Sequence, residues 1–535
     1  MGTPRREFMK LAGMGLTATA ATGATGVAFA KAPARAAKTA GGIYDVRDFG
    51  ATGDGTTIDS PAINKAIDAA AAAGGGTVRF PAGTYASFSL RLKSKVALYL
   101  DQGATLLAAE VPASGTEGYD AAESNAPWEN YQDYGHNHWH NSLIWGEGLH
   151  DVSIMGPGLI WGKGLSRGWS TEQPLAETPR NGNKSIALKN CRNVILRDFS
   201  ILKGGHFGIL ATGVDNLTID NLKIDTNRDG MDIDCCRNVR VSNCSVNSPW
   251  DDGICPKSSY ALGYARATEN VTITNCYVTG TYELGTMLDG TWKKFAADAR
   301  VPHTGRIKFG TESNGGFKNI TVSNCVFDGC NGIALESEDG ALLEDVTFIG
   351  ITMRDVTTAP IFLRLGTRMR GPAGAAVGTL QRVVLSDIVS YNCASKDCAI
   401  ISGVPGHEIA SIKLNNIYLH HQGGGTEEMA ALHPPENETK YPDPGMFGAM
   451  PAQGFYVRHV KDIEFTNVEI ANEKADARPG FVLEDVQGAD FFRIKLPRND
   501  TGAAFVLKDV TDFRVSGSRG IKDAAIEKAN ETIRR

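Results

Sequence analysis

The sequence has no strong excess of charge of either sign and, beyond its first thirty or so residues, no long apolar run. It carries 54 Lys and Arg against 60 Asp and Glu, which gives a formal net charge of −6. Proteins that bind nucleic acids or anionic membranes carry clustered positive charge, so neither partner is expected. The ten cysteines also lack the paired CxxC spacing that marks metal sites. The composition fits a soluble enzyme or binding protein that needs no metal or other cofactor.

The first 36 residues resemble a bacterial twin-arginine export signal. Arg5-Arg6 precedes an apolar, Gly/Ala/Thr-rich run from Leu11 to Phe29, and small-residue sites suited to cleavage follow at Ala28-Phe29-Ala30 and Ala34-Arg35-Ala36. A membrane anchor is the alternative, but the run is only about nineteen residues long and mildly apolar. We therefore expect a signal peptide at residues 1–36, a periplasmic or secreted protein, and no membrane span in the mature chain.

The mature chain, residues 37–535, is organised by a repeat in which an Asn is followed by alternating apolar residues and then by a second Asn or Asp. Clear copies begin at Asn193, Asn216, Asn238, Asn270 and Asn319, and looser copies begin at Asp345, Arg382, Ser411 and Asp462. Apolar alternation at a fixed period is typical of a solenoid whose repeats bury their faces by stacking. Because such an array grows without new cores, the pattern predicts a single all-β domain, a parallel β-helix with one coil per repeat.

Two positions of the repeat predict ladders of like side chains. Position six is usually Asn, and stacked side-chain amides hydrogen-bond along the axis and tolerate left-handed backbone. Position seven is Cys244, Cys276 and Cys325 in three coils and a large apolar residue in the others, which predicts a buried stack. Cys235 with Cys236, and Cys393 with Cys398, could form disulfides or remain free.

The two ends of the array carry different signals. Ser60 as N-cap and Pro61 at the first helical position predict a helix that covers the first coil. Ile63, Ala66, Ile67 and Ala70 would form its apolar face. Residues 523–535 predict a short helix or a frayed tail.

Three carboxylates fall at one place in the repeat. Asp229 lies thirteen residues after Asn216, Asp251 lies thirteen after Asn238, and Asp252 follows directly. Residues in phase on successive coils lie about 4.8 Å apart, and carboxylates stacked so closely raise each other's pKa. We interpret this column as catalytic, because a protonated and an ionised carboxyl can act together as acid and base. The alternative is that these are solvated turn aspartates.

Three loops could shape a groove around the carboxylates. The segment from Tyr119 to His140 is rich in aromatic residues and could stack on sugar faces. Its three closely spaced histidines could bind a metal, although a polar surface loop is the favoured interpretation. The insertions Gly285–Gly305 and Gly423–Gly454 either wall one end of the groove, and so restrict an enzyme to chain ends, or are lineage-specific additions.

An ordered set of motifs carries a family resemblance. DFGATGDGTTID, GPGLIWGKG, Asn227-Arg228-Asp229-Gly230, Asp251-Asp252-Gly253 and Cys255-Pro256-Lys257-Ser258 follow one another between Ile43 and about Ile400. Together they resemble glycoside hydrolase family 28, the polygalacturonase group. The resemblance implies a right-handed parallel β-helix and hydrolysis with inversion, with Asp251 as general acid and Asp229 and Asp252 holding and deprotonating the water. It also implies that Lys257 and Asn227 lie near the sugar.

Two departures from the family pattern bear on the substrate. Gly280-Thr281-Tyr282-Glu283 stands where the family has Gly-His-Gly, and Glu283, thirteen residues after Asn270, would extend the carboxylate column. The family's Arg-Ile-Lys, which binds a uronate carboxylate, would be replaced by Ala334-Leu335-Glu336, since Arg306-Ile307-Lys308 reads as one coil too early. Glu283 and Glu336 would then bind substrate and repel uronates. This predicts a neutral or differently placed sugar in at least one subsite.

The sequence thus predicts an inverting glycoside hydrolase that acts on a pectic polysaccharide or its oligosaccharides. Its acid and base carboxyls would lie about 6.5–9.5 Å apart, so that a water fits between them. A β-elimination lyase on the same fold is the enzymatic alternative, but it would need calcium and an arginine base. A non-catalytic glycan-binding solenoid, such as an adhesin, is the alternative from another class.

Overall fold

The structure is a computed structural model that describes residues 42–167, 178–394, 396–498 and 502–534. The export signal expected at residues 1–36 lies outside the described residues. The described chain is nearly all β, and its strands pair in parallel into three ladders that form the sides of a right-handed β-helix. Each complete coil passes through the first, second and third sheet in turn, which confirms the predicted fold.

The first sheet carries the repeat sequences. Its neighbouring strands are in register, so that Val194 lies beside Leu217, and Leu217 beside Val239. Its short strands are Ile43–Asp45, Gly76–Phe80, Val96–Leu100, His150–Met155, Arg192–Arg197, Asp215–Asp220, Arg237–Ser242, Thr268–Thr274 and Phe317–Ser323.

The second and third sheets complete the coils. The short strands of the second sheet are Asp54–Ile58, Gly83–Ser87, Ala104–Ala108, Leu159–Trp161, Ser200–Leu202, Lys223–Asp225, Ser245–Asn247, Tyr277–Thr279 and Val326–Asp328. Those of the third sheet are Leu90–Arg91, Ile144–Glu147, Lys184–Lys189, Phe207–Thr212, Asp229–Asp234, Ile254–Lys257, Lys308–Phe309, Ile333–Ser337, Ile361–Leu365 and Ala399–Ser402.

Later coils use long strands that bend around the corners between sheets. These are Leu342–Arg354, Thr379–Cys393, Ile409–Gly423, Phe455–Lys474, Phe481–Phe492 and Phe505–Ser516. Ala524–Ala529 and Thr532–Ile533 then pair antiparallel with the last long strand. The expectation of a helix or frayed tail there is wrong, because this hairpin covers an edge whose backbone groups would otherwise be unpaired.

Helices are short and lie outside the sheets. The helix Ser60–Ala72 packs its predicted apolar face against the first coils. The N-cap residue is Asp59, and the predicted N-cap Ser60 is the first residue of the helix. The Asp59 carboxylate accepts hydrogen bonds from the backbone of Thr52 and Gly53. The remaining helical segments are Glu427–Ala430 and the 3₁₀ turns Val46–Phe49, Glu129–Tyr131 and Pro444–Phe447. Among the described residues, no helix has the length and apolarity needed to cross a bilayer.

Both predicted ladders are present. Cys244, Cys276 and Cys325 are buried in the core, and all ten cysteines of the chain, each of them a described residue, are free thiols. The repeat asparagines adopt left-handed backbone. At position six, the Asn275 side chain donates to Asn243 at 3.5 Å and the Asn467 side chain donates to Asn416 at 2.9 Å. A second ladder, which was not predicted, runs through the first position of the repeat, where Asn270 donates to Asn238 at 3.2 Å and accepts from Asn319 at 2.8 Å. Backbone conformation and side-chain stacking therefore select Asn at the same position.

The asparagine ladder makes a prediction about stability. Replacing Asn270 by Ala removes two amide hydrogen bonds, each contributing about 0.5–1.5 kcal/mol. Left-handed backbone also costs Ala about 1–2 kcal/mol, a cost that Gly does not have. Asn270→Ala should therefore lower the free energy of unfolding by more than Asn270→Gly does, as measured by urea denaturation. At Thr272, in the middle of a regular strand, Gly should be the more damaging of the two. The same order at both positions would contradict this account.

Candidate active site

Strand register brings the three aspartates together at one end of the third sheet. Asp229 begins the strand Asp229–Asp234, and Asp251 and Asp252 lie in the turn before Ile254–Lys257. Met231 pairs with Ile254, so Asp229 lies level with Asp252 and not with Asp251. The predicted common phase of Asp229 and Asp251 is wrong by one position. Successive strands here are offset by 22 residues in the second sheet but by 23 in the third, so one residue has been added between the two sheets.

The three carboxylates form a compact cluster. One oxygen from each of Asp229, Asp251 and Asp252 lies within 4.8 Å of the others. The side chains of Asp229 and Asp252 are 4% and 1% exposed, whereas that of Asp251 is 22% exposed. The 4.8 Å limit refers to the nearest oxygens, whereas the separation of about 6.5–9.5 Å expected for an inverting pair is between whole carboxyl groups. Asp251 is the member of the cluster that solvent and a substrate can reach most easily.

Two buried cations hold Asp252 in its ionised form. Arg306 Nε lies 2.9 Å from Asp252 Oδ1, and Lys308 Nζ lies 2.6 Å from Asp252 Oδ2. Burial alone would raise the pKa of Asp252, but the charges of Lys308 and Arg306 outweigh it and lower the pKa to about 2. Asp252 is therefore a carboxylate throughout the neutral range.

This arrangement corrects the expectation that Arg306-Ile307-Lys308 lies one coil too early. Ile307 pairs with Ile254, so the triplet occupies the coil directly after the aspartates. Ala334 and Leu335 lie one coil further on, beside Lys308 and Phe309. The error arose because residues between Gly280 and Gly305 form a loop outside the sheets and do not add a coil. The cations at the carboxylate cluster are present and have not been replaced.

Glu336 does not take the place of those cations. Its side chain is fully buried, and one oxygen lies 3.8 Å from Arg306 Nη2. Burial raises the pKa of Glu336 to about 7, although the nearby Lys308 and Arg306 oppose that rise. Because Glu336 contacts the cations from within the fold, the expectation that it meets substrate and repels uronates is wrong.

Glu283 also differs from its expected role, whereas the role of Asn227 stays a prediction. Glu283 pairs with Lys293 at 2.9 Å in the loop outside the sheets, and both side chains are exposed. It does not extend the column, because Gly305 and not Glu283 follows Asp252 along the third sheet. Asn227 is buried just before Asp229, and its carbonyl oxygen is 3.5 Å from the hydroxyl of Thr226.

Asp229 occupies the opposite electrostatic environment from Asp252. Burial, together with the negative charges of Asp251 and Asp232, raises the pKa of Asp229 well above its usual value. The nearest cation, Arg228, keeps its guanidinium nitrogen 4.0 Å away. One proton therefore resides within the cluster under conditions in which Asp252 is ionised.

Arg228 is the third cation of the site and was not recognised in the sequence. Its Nε lies 2.9 Å from Asp251 Oδ2, and Nη1 lies 2.7 and 3.0 Å from the two ring nitrogens of His206. Burial, and then the charge of Arg228, lower the pKa of His206 well below its usual value. A neutral His206 can therefore orient Arg228 without repelling it. The only sequence signal was the position of Arg228 beside Asp229.

The aromatic loop covers the neighbouring part of the third sheet instead of lying in solvent. His136, His138 and Trp139 are buried, so the favoured interpretation of a polar surface loop is wrong for these side chains. His136 Nε2 lies 3.2 Å from the buried carboxylate of Asp232, and His138 pairs with Glu129. The three histidines thus have separate partners, because His140 lies against Glu123 and Glu147.

Lys257 lies in a buried network under this loop. Its Nζ is 3.0 Å from Glu312 and 3.8 Å from Asp232, and Arg370 also contacts Glu312, at 2.8 Å. The positive charge of Lys257 contributes to lowering the pKa of Asp252. Lys257 therefore acts on the carboxylate cluster through its charge, and is itself 5% exposed.

The second insertion reaches the site from the other side. Tyr441 places its hydroxyl 3.4 Å from Lys308 Nζ. The backbone oxygens of Glu436 and Glu438 accept hydrogen bonds from Arg364 and from the backbone of Thr367. The insertion Gly423–Gly454 is thus fixed across the third sheet just beyond the two cations of Asp252.

Two groups of described side chains have oxygen or nitrogen atoms close enough together to share a metal ion. One is the cluster of Asp229, Asp251 and Asp252, and the other is Glu123, His140 and Glu147. Arginine and lysine side chains already pair with Asp251 and Asp252. We assign no metal to either group.

Residues 119–284 match the family model "Glycosyl hydrolases family 28", and residues 43–134 match "Rhamnogalacturonase A/epimerase, pectate lyase-like". A probable polygalacturonase of Vitis vinifera is 23% identical over 407 residues, which cover 70% of this chain and 73% of that protein.

Two solved structures share the fold. The family 28 exopolygalacturonase of Yersinia enterocolitica has a TM-score of 0.59 and 20% identity, with 84% of this chain and 78% of that chain covered. The hyperthermoactive exopolygalacturonase of Thermotoga maritima has a TM-score of 0.55 and 16% identity, with 80% and 91% covered. At these identities the structures support the right-handed parallel β-helix.

The opposite environments of Asp229 and Asp252 predict opposite effects of the same substitution. A depressed carboxyl pKa stabilises the fold above the unfolded value of 3.8, and that stabilisation is lost as the pH falls towards about 2. Asp252→Asn should therefore cost about 3–5 kcal/mol at pH 7, because two buried cations lose their partner. A raised pKa has the reverse sign, so Asp229→Asn should raise stability at pH 7 by about 1 kcal/mol or more.

Urea denaturation followed by tryptophan fluorescence at pH 7 and pH 4 measures both effects. The gain from Asp229→Asn should shrink at pH 4, where Asp229 is protonated both in the folded chain and in much of the unfolded ensemble. Equal destabilisation by the two substitutions at pH 7 would show that the cluster is not divided in this way.

Proposed function

We propose that the chain is a member of glycoside hydrolase family 28, whose model matches residues 119–284, and that it hydrolyses glycosidic bonds of a pectic polysaccharide or its oligosaccharides. The matched segment carries the three aspartates of the cluster. The cluster offers both an ionised carboxylate and a retained proton, which are the two species that acid–base hydrolysis of a glycoside requires. The observation that carries the proposal is this division of roles within 4.8 Å.

The proposed substrate is a galacturonan or a related uronate-containing chain. Arg306 and Lys308 lie at the cluster, and cations of this kind bind sugar carboxylates by charge-assisted hydrogen bonds. The Vitis vinifera relative is described as a probable polygalacturonase. The earlier expectation of a neutral sugar depended on the loss of these cations, so it no longer has support.

We assign the steps of hydrolysis to three carboxyl groups. Asp251, the most exposed, gives its proton to the glycosidic oxygen as the bond to the anomeric carbon breaks. Asp252, held as a carboxylate by Arg306 and Lys308, orients the attacking water. Asp229 accepts the proton that the water releases, since burial makes it the more basic of the two acceptors when it is ionised.

The proposed stereochemical outcome is inversion. A retaining mechanism needs a carboxylate free to attack the anomeric carbon. Asp252 is engaged by two cations at 2.9 and 2.6 Å, which lowers its basicity and with it its nucleophilicity. Its charge and position suit water orientation better than covalent attack.

We further propose that the insertion Gly423–Gly454 confines the enzyme to chain ends. The segment crosses the third sheet just beyond Lys308, and its backbone is tied to Arg364 and Thr367. A polysaccharide lying along the sheet would meet this segment after the subsite of Arg306 and Lys308. Tyr441 would then contact the terminal sugar.

The location of the protein remains a proposal that rests on residues 1–36. Their resemblance to a twin-arginine signal favours export in the folded state. All ten cysteines are free and buried, so the fold needs no disulfide formed after export. A periplasmic or secreted enzyme would meet pectic substrates in this way.

The assignment of Asp251 predicts a specific loss. Asp251→Asn should lower kcat on oligogalacturonates by about 100- to 10,000-fold, because a positioned general acid contributes that much, with little change in substrate affinity by calorimetry.

NMR of the wild-type reaction should show a saturated product of inverted anomeric configuration. A retained anomer would overturn the roles proposed for Asp229 and Asp252. An unsaturated product that absorbs in the ultraviolet would indicate a lyase, and binding without turnover in the wild type would indicate a binding protein.

The inserted segment predicts the size of the products. Wild-type enzyme should release small products from the start of the reaction while the viscosity of polygalacturonan falls slowly. Tyr441→Ala should lower kcat/KM by about 3- to 10-fold, the loss of one aromatic contact. Tyr391→Ala, at an exposed tyrosine on an outer strand, is the matched control. A rapid fall in viscosity with a broad mixture of oligomers would exclude end-directed action.

A further inference from the structure

Cations lie on both sides of the carboxylate cluster along the helix axis. Arg228 is on the coil of Asp229, and Arg306 and Lys308 are on the coil after Asp252. Successive coils are about 4.8 Å apart, close to the length of one sugar residue in an extended chain. A chain of uronates lying along the third sheet would therefore bring one carboxylate near each set of cations.

The contacts of Arg228 suit a residue that can change partners. Its guanidinium spans Asp251 and the neutral ring of His206, with one further nitrogen 4.0 Å from Asp229. The side chain is 13% exposed, and the Asp251 side chain 22%. Their ion pair is the more exposed one, whereas the ion pairs of Asp252 are more deeply buried. A ligand carboxylate could replace Asp251 on Arg228 without disturbing the buried pairs.

The ion pair opposes the role proposed for Asp251. A cation at 2.9 Å favours the charged form of a carboxylate, but a general acid must carry a proton. The proton of the cluster lies with Asp229 while Arg228 holds Asp251. Some event on substrate binding has to transfer it.

We propose that Arg228 binds the carboxylate of the sugar on the side of the scissile bond opposite to Arg306 and Lys308, and that this contact frees Asp251 from its ion pair. The inference rests on the proposed hydrolysis of a uronate chain and names the residue that couples recognition of that chain to catalysis. Arg228 is a positioning residue, because it acts on the reaction through Asp251.

The proton balance of the step is closed within the cluster. The substrate carboxylate pairs with the guanidinium of Arg228 in place of Asp251. Asp251 accepts the proton that Asp229 releases. Asp251 then gives this proton to the leaving oxygen, while the water adds its hydroxide to the anomeric carbon and its proton to Asp229. The cluster ends with the same protonation as it began.

The coupling separates charged from neutral substrates. A methyl-esterified oligogalacturonide has the same ring but no carboxylate to take Arg228, so it should bind without freeing Asp251. Discrimination should therefore appear in kcat as well as in KM. A residue that only supported the fold would affect both substrates alike.

The test compares Arg228→Gln with wild type on oligogalacturonate and on its methyl ester. Arg237→Gln, at an exposed arginine paired with Glu269 on the first sheet, is the control. Arg228→Gln should raise KM for the free acid by about 10- to 100-fold, the effect of one charge-assisted interaction. It should also bring kcat on the ester to within about threefold of kcat on the free acid, because Asp251 no longer has an ion pair to leave. An unchanged KM for the free acid, or a ratio of kcat between acid and ester equal to that of the wild type, would overturn the proposal. Circular dichroism and thermal melting confirm that each variant is folded.

Failure of the proposed hydrolysis can be told apart from failure of this inference. If the wild type turns over neither substrate, the proposed function fails, and calorimetry still decides the role of Arg228. Arg228→Gln should then weaken binding of oligogalacturonate by about 10-fold or more and leave binding of the ester unchanged. Equal affinities of wild type and variant for oligogalacturonate would exclude Arg228 as a carboxylate-binding residue.

Discussion

In-register stacking of parallel coils is the constraint on which the rest of the structure depends. Each strand hydrogen-bonds to the coils before and after it, so a side chain's neighbours are set by the length of one coil. One added residue between the second and third sheets moves Asp252 beside Asp229 and leaves Asp251 in the turn. The site is therefore a consequence of coil length as much as of residue type, and it needs no long-range folding of separate elements.

The cations around the three stacked aspartates determine how their pKa values differ. Three carboxylates within 4.8 Å would repel one another strongly if they were alone. The structure places two cations on Asp252 and one on Asp251, and leaves Asp229 buried with the Arg228 guanidinium 4.0 Å away. Unequal pairing, and not proximity alone, shifts the pKa values of Asp229 and Asp252 in opposite directions. The cations are as much part of the chemistry as the aspartates are.

The repeat predicted much of the fold because its signals are local. Asn270 and Cys276 each satisfy a backbone or packing requirement that recurs in every coil, so spacing in the sequence was enough to place them. The register of the strands at the site was harder to predict from the sequence. A corner between sheets accepts an extra residue, as before Asp252, or a whole loop, as between Gly280 and Gly305, without breaking the ladder. Counting from Asn270 therefore placed Glu283 in the column and moved Arg306 out of it.

The same reasoning explains why Arg228 escaped notice. Sequence patterns identify a charged side chain by its neighbours along the chain. Nothing in the sequence between Asn227 and Asp229 marks Arg228 as a functional residue. Its significance comes from Asp251 and His206, one on the next coil and one on the coil before. A residue whose role depends on contacts with other coils has no signature in one repeat. In a solenoid, then, the residues that hold the site together can be predicted from spacing, while the residues that couple it to a ligand have to be found from contacts between coils.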